Sequence, residues 1–179
     1  FLKVSLAGGI AALLPGRLLW GEPTATPVWV FHGTNPARLM TKCMETIDAN
    51  GGVGTDVRKL SLKVNAAWAR RPPHGATTSP ELVDAFLKGC RKRNIKELLL
   101  PEHSCDRAKE SFSMSGLEDV ARQNGARMIN LQTQKDAYRS VKLPDAKTLT
   151  RADVAREVLE TDSLVNFPVV KHHGSARMT

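Results

Sequence analysis

Lys63 and Asn65 close the apolar run "LSLKVN", Thr77 and Thr78 stand just ahead of the amphipathic run "SPELVDAF", and Lys171, His172 and His173 follow "SLVNFPVV". These are residue types that bind anions or move protons, at places where apolar segments turn into loops. A lysine inside a half-apolar strand points at solvent or has been given an anion, because an unpaired buried ammonium is too costly to keep. The segment "GATTSPE" offers such an anion a seat. Gly75 permits a tight backbone, the two threonines bring hydroxyls, and a helix starting at Pro80 directs unpaired N–H groups at the loop. Lys63 reaches the same place from the preceding strand. The same residues, Thr77, Thr78 and Ser79, also suffice as plain helix caps. Imidazoles at His103 and His173 suit general acid–base chemistry near neutral pH, which is the second reading.

Other chemistries find less support. His172 and His173 are adjacent, so on an extended chain they face opposite sides and do not share one metal easily. The cysteines, Cys43, Cys90 and Cys105, are odd in number and form no C-x-x-C pair, which argues against a disulfide framework and against a complete iron–sulfur site. The glycines of "GGVGT" follow a helical pattern, whereas a phosphate loop leads from a strand into a helix. No nucleophile elbow is present.

The elements that must position these residues alternate. "PVWVFHG" reads as a first strand leaving at His32 and Gly33. "NPARLMTKCMETIDANGG" is a helix with Asn35 as cap, Pro36 at its first position and an apolar stripe of Leu39, Met40, Cys43, Met44 and Ile47. "VRKLSLKV" is a strand and "SPELVDAFLKGCRKRN" a helix with Leu82, Val83, Phe86, Leu87 and Cys90 on one face. "IKELLL" is a strand that exits at Glu102, His103 and Ser104. "SGLEDVARQNGA" reads as a helix, "RMINLQ" as a strand, "TRADVAREVLE" as a helix with Thr150 and Asp153 at capping-box spacing, and "SLVNFPVV" as a last strand disturbed by Pro168. Strands separated by helical crossovers predict an α/β fold, a mainly parallel sheet with helices on both faces. In such sheets ligands bind beyond the carboxyl ends of the strands, where the polar residues above collect.

The net charge of +8, from 26 basic and 18 acidic residues, suits an anionic small molecule or cofactor. With one tyrosine and no finger spacing or RNA-binding signature, the composition argues against a nucleic-acid partner. Residues 1–26 read as a signal-like export segment: a lysine, then an apolar stretch from Val4 to Leu14, too short to span a bilayer. Residues 27–179 form the α/β domain.

The motifs "LSLKVN", "GATTSPELVDAF", "KELLLPEHS" and "DSLVNFPVVKHH", in that order, resemble those of the domain of unknown function 362 family, from about residue 29 to 173. The N-terminal stretch is similar to the second half of a bacterial twin-arginine signal, in which the paired arginines precede a Phe-Leu-Lys triplet. The resemblance implies an α/β protein, exported to the periplasm through the twin-arginine machinery and in some members associated with iron–sulfur clusters. Lys63, Asn65, Thr77, Thr78, Lys171 and His173 match the family pattern by position. His172 and the "NIKE" turn depart from it. Members continue into a long second part, so the resemblance implies an incomplete domain here, with any cluster-binding cysteines outside this chain. The leading expectation is an exported protein binding an anionic ligand or cofactor through Lys63, Asn65, Thr77, Thr78 and Lys171; a histidine-based hydrolase or transferase and a noncatalytic binding module are the alternatives.

Overall fold

The computed structural model describes residues 27–54, 56–174 and 177–178. Its centre is a four-stranded sheet in which β1 (Lys59–Lys63), β2 (Glu97–Glu102), β3 (Arg127–Asn130) and β6 (Ser163–Asn166) lie in the order β3-β2-β1-β6. All three pairings are parallel, with Leu60 beside both Leu98 and Ser163, and Leu100 beside Met128. The α/β expectation holds.

One face of the sheet carries the main core. Leu60, Leu62, Leu98 and Leu100 project onto α2 (Pro80–Lys92), whose Val83, Phe86, Leu87 and Cys90 form the buried stripe legible in its sequence. Ser79 caps α2 by accepting the Leu82 N–H, and Pro80 fills the first helical position, where a missing N–H costs nothing. Helix α1 (Pro36–Asp48), capped by Asn35, brings Met40 and Met44 into the same core, so the methionines are packing residues as expected. Helices α3 (Ala108–Met114) and α4 (Leu117–Gln123) complete this layer through Ala108, Phe112, Leu117 and Ala121.

The opposite face is thinly covered. A single helical turn, α5 (Arg156–Leu159), lies over it; Ser61 donates its hydroxyl to the Glu157 carbonyl at 2.8 Å. Beside it an antiparallel ribbon, β4 (Tyr138–Lys142) with β5 (Arg151–Ala155), closes a small cluster of Leu131, Ala137 and Ala155. Past β6 the chain makes a second short ribbon, β7 (His172–His173) with β8 (Arg177–Met178).

Two expected elements differ. "PVWVFHG" is extended chain without a sheet partner, with Val28 and Val30 at 82% and 76% exposure, and it pairs with neither edge strand, β3 or β6. "TRADVAREVLE" is strand over its first half: Asp153 lies opposite Ser140 in the β4–β5 ladder, and pairing overrides a cap that lacks the usual Glu or Gln. The export-like residues 1–26 lie outside the described residues.

Candidate functional site

Strand β1 delivers Lys63 to the carboxyl end of the sheet, and β2 delivers Glu102 beside it. Lys63 Nζ donates to Glu102 Oε2 at 2.9 Å and also to the Val64 carbonyl. Glu102 is only 3% exposed, and the same Oε2 accepts the Ala66 N–H at 2.9 Å. The anion that a lysine in "LSLKVN" requires is therefore a carboxylate of this chain. That departs from the expectation that Lys63 reaches into the threonine loop for a ligand.

The remaining predicted residues meet around Asn65. Its N–H donates to Thr78 Oγ1 at 2.8 Å, its carbonyl accepts the Thr78 N–H at 2.9 Å, and its side-chain oxygen accepts from Lys171 Nζ. Thr78 passes the connection on, donating its hydroxyl to the Phe167 carbonyl at 2.7 Å. The end of β1, the entry to α2 and the chain leaving β6 are thus tied at one point, and three motifs far apart in sequence become one structure. Among the described residues Lys171 makes no ion pair; its one partner is the neutral Asn65 amide.

Thr77 is placed differently. It is 4% exposed, and its Oγ1 is buried without a hydrogen-bond partner. It lies on the wall of a cleft of about 760 Å³ between the Pro72–Ser79 stretch and residues Asn166–Val169, floored by Met40 and Leu82. Gly75, at φ +64°, turns the chain into this wall from the short 3-10 turn Pro72–His74. The strand order reverses between β1 and β6, since β2 and β3 lie on one side of β1 and β6 on the other. A parallel sheet opens its ligand crevice at such a reversal, beyond the carboxyl ends. The cleft occupies that position. Neither Lys63 nor Lys171 lines it, whereas Glu81, from the first turn of α2, does.

The histidines are scattered. His103 Nδ1 lies 2.7 Å from the Tyr138 hydroxyl in a hydrogen bond, with the rings 6.0 Å apart, both residues exposed. Partial burial, together with the charges of Glu102 and Glu157, raises the Tyr138 phenol above its ordinary value. His173 lies on the β7–β8 ribbon opposite Arg177, away from the main sheet's ladder. His32 borders a separate hollow at the start of α1. Sequence reasoning missed Tyr138 and Glu157. Glu157 is nearly buried, accepting from Gln134 at 2.6 Å while its Oε2 has no partner. Gln134's and Arg156's bonds help hold its carboxyl below the usual value against the upward pull of burial. No spacing signal announces either residue: Tyr138 begins β4 of a ribbon that was not legible, and Glu157 sits on the single turn α5 that follows β5.

Among the described residues no group of three or more His, Cys, Asp or Glu side chains could hold a metal ion. The cysteines do not fit a cluster either. Cys90 is in the core, where burial pushes its thiol up to about 12, Cys43 is half-buried and also raised, and Cys105 is exposed on a different loop. No helix among the described residues is long and apolar enough to cross a membrane.

No curated protein and no solved structure matches the chain. A family model does, over residues 61–179, from the middle of β1 through the Asn65 junction and the cleft to the end of the chain. That span covers more than half of the sequence and all four of the ordered motifs but for the first residue of "LSLKVN", so the chain belongs to the family described as a domain of unknown function, DUF362.

Proposed function

We propose that this domain binds a small anionic ligand with an apolar body in the cleft between the threonine turn and the segment after β6. The observation that carries the reading is the Thr77 hydroxyl, buried and unpartnered on the wall of a cleft at the sheet's strand-order reversal. An unmade hydrogen bond at a buried hydroxyl costs roughly 1–3 kcal/mol, which an acceptor in the cleft recovers once the Thr77 side chain turns toward it. Met40, Leu82, Phe167 and Pro168 offer the body of the ligand apolar surface. The nearby Lys171 ammonium, facing only a neutral amide, supports a negative charge on it. Lys63 supports the site indirectly, by fixing the end of β1 through Glu102.

The test is amide chemical-shift mapping with a simple probe, benzoate, titrated into the isotope-labelled chain. Shifts confined to residues 75–82 and 166–171, abolished by Thr77→Val, are the expected result. Shifts centred elsewhere, or unchanged in the variant, would remove the cleft as the site. Residues 1–26 support export as part of the same proposal, and a reporter fused after residue 26 that stays in the cytoplasm would remove it. A second reading rests on the His103–Tyr138 hydrogen bond, a proton-transfer pair at the carboxyl end of β2. It predicts hydrolytic or transfer turnover that His103→Gln abolishes.

A further inference from the structure

The parallel strands deliver four loops to one end of the sheet: residues 64–79 after β1, 103–107 after β2, 131–137 after β3 and 167–171 after β6. Their lysines and arginines are Arg70, Arg71, Arg107, Lys135 and Lys171, against the acids Asp106 and Asp136. Arg107 pairs with Glu110 at 3.4 Å; among the described residues the other four cations make no ion pair. Asp106 is engaged by the chain, its carboxylate accepting the Ala69 N–H at 2.8 Å. This end of the molecule therefore carries more positive charge than its own loops neutralise, and it attracts anions.

The first of these loops is held still while its largest side chain is turned out. Ser104 donates its hydroxyl to the Ala66 carbonyl at 2.7 Å, and the N–H groups of Cys105 and Asp106 donate to the Ala67 carbonyl at 2.8 and 3.0 Å. Ala66 and Ala69 are buried, whereas Trp68 between them is 44% exposed. Arg70 and Arg71, both exposed, follow at once, and then Pro72 and Pro73, which line the cleft. The opposite wall is matched. Val169 lines the cleft, and Val170, 80% exposed, and Lys171 come directly after it. Each wall of the cleft thus runs on into an exposed apolar residue accompanied by cations.

That pairing suits the boundary between water and an anionic bilayer, where a tryptophan ring sits at headgroup level and the surface charge draws each lysine and arginine. A nucleic acid would ask for successive stacking rings; Phe167 is spent on Phe86, which leaves Trp68 by itself on these loops. An acidic protein would meet the charge, but the cleft decides against it. An anion with an apolar body partitions into bilayers, and the walls of its cleft lead to this surface; this step alone rests on the binding reading above. We infer that the carboxyl end of the sheet docks on an anionic membrane surface. Trp68 and Val170 enter the interface, Arg70 and Arg71 lie over the headgroups, and the cleft faces the lipid.

The experiment follows Trp68 fluorescence in the full chain carrying Trp20→Phe and Trp29→Phe, so that one ring gives the signal. The probes are vesicles of equal parts phosphatidylglycerol and phosphatidylcholine, and vesicles of phosphatidylcholine alone. The expected result is a blue shift and shielding from acrylamide on the anionic vesicles, with at least about tenfold weaker binding to the neutral ones. Replacing Arg70 and Arg71 together by Gln should weaken binding about tenfold, replacing both by Lys should leave it close to the parent, and added salt should weaken it. Thermal melts identify any variant that has lost the fold, and an environment-sensitive dye on exposed Cys105, at the same end of the sheet, gives a second readout in the chain that keeps its tryptophans. The inference is overturned if no vesicle binds, if both kinds bind alike, or if the Gln pair changes nothing. Binding with Trp68 unshifted would place the contact on another part of the chain and overturn it equally, as would tighter binding to a single-stranded oligonucleotide or to polyglutamate. Benzoate mapping without lipid scores the cleft separately: its shifts with no vesicle response remove the docking and leave the binding reading, and a Trp68 response without them does the reverse.

Discussion

At the scale of single residues, the Lys63–Glu102 pair is asymmetric, and the asymmetry can be measured. The Lys63 side chain is 39% exposed and that of Glu102 4%. Removing the lysine strands a carboxylate with only the Ala66 N–H; removing the carboxylate leaves an amine that can turn to water. Lys63→Met should lower stability by about 1–3 kcal/mol in urea unfolding, and Glu102→Gln by less than about 1 kcal/mol. Equal losses would mean that the carboxylate is as well hydrated as the amine. The thiols give a second residue-level test: a disulfide reagent should label exposed Cys105 in the native protein and reach Cys90, whose thiol is raised to about 12 by burial, only on unfolding. Fast labelling of Cys90 would show the α2 stripe to be open. The candidate site was legible in part for the same physical reasons. Charged and hydroxyl side chains beside apolar runs are anomalies that demand partners, so Lys63, Asn65, Thr78 and Lys171 stood out. Which partner each one takes depends on neighbours that sequence order does not reveal, and Glu102 was read with His103 rather than with Lys63.

At the scale of elements, the helices α1 and α2 and the strands β1, β2, β3 and β6 were readable because each carries its own signal, a cap, a proline or an unbroken apolar run. The β4–β5 ribbon was not, because its strands are largely exposed and owe their conformation to each other rather than to a pattern. "PVWVFHG" shows the converse: a strand-like run that pairs with neither edge of the sheet stays extended and exposed. What pins the start of β1 is Asp162, whose carboxylate accepts the N–H groups of Arg58 and Lys59 at 2.9 and 2.8 Å. Those bonds hold its pKa below the ordinary 3.8. A depressed folded value means that the contribution is complete above the unfolded value and is lost as pH falls through the folded one. Asp162→Asn should therefore melt at a lower temperature than the parent at neutral pH, with the gap narrowing below about pH 4. A gap that stays constant to low pH would show that the carboxylate's charge plays no part. Asp48 and Asp84, also depressed, leave a residual acid slope in both proteins.

At the scale of the whole molecule, the weight falls on the last strand. β6 joins β1 across about a hundred residues of chain, and the junction is secured at both ends: by Asp162 and Thr161 on Arg58 and Lys59 below, and by Phe167 and Thr78 above. Phe167 also meets Phe86 of α2 edge-on, with ring centroids 4.9 Å apart. Pairing over such a separation forms late, since loop closure must precede the contacts that reward it. Until it forms, β1 is an open edge whose own Leu60 and Leu62 are fully buried in the finished fold, and such an edge pairs with other chains. A chain ending after residue 160 should accordingly collect in the insoluble fraction, or bind a hydrophobic dye as a collapsed state. Leu164→Lys, on the outward face of β6 where the side chain is 49% exposed, should fold with stability within about 0.5 kcal/mol of the parent and aggregate less. The two variants separate the strand's role as a partner for β1 from its role as a surface. If the shortened chain were a monomer with native amide protection in β1 and β2, β6 would be an accessory laid on a complete sheet. The cleft wall that depends on it would then be free to open without unfolding the rest.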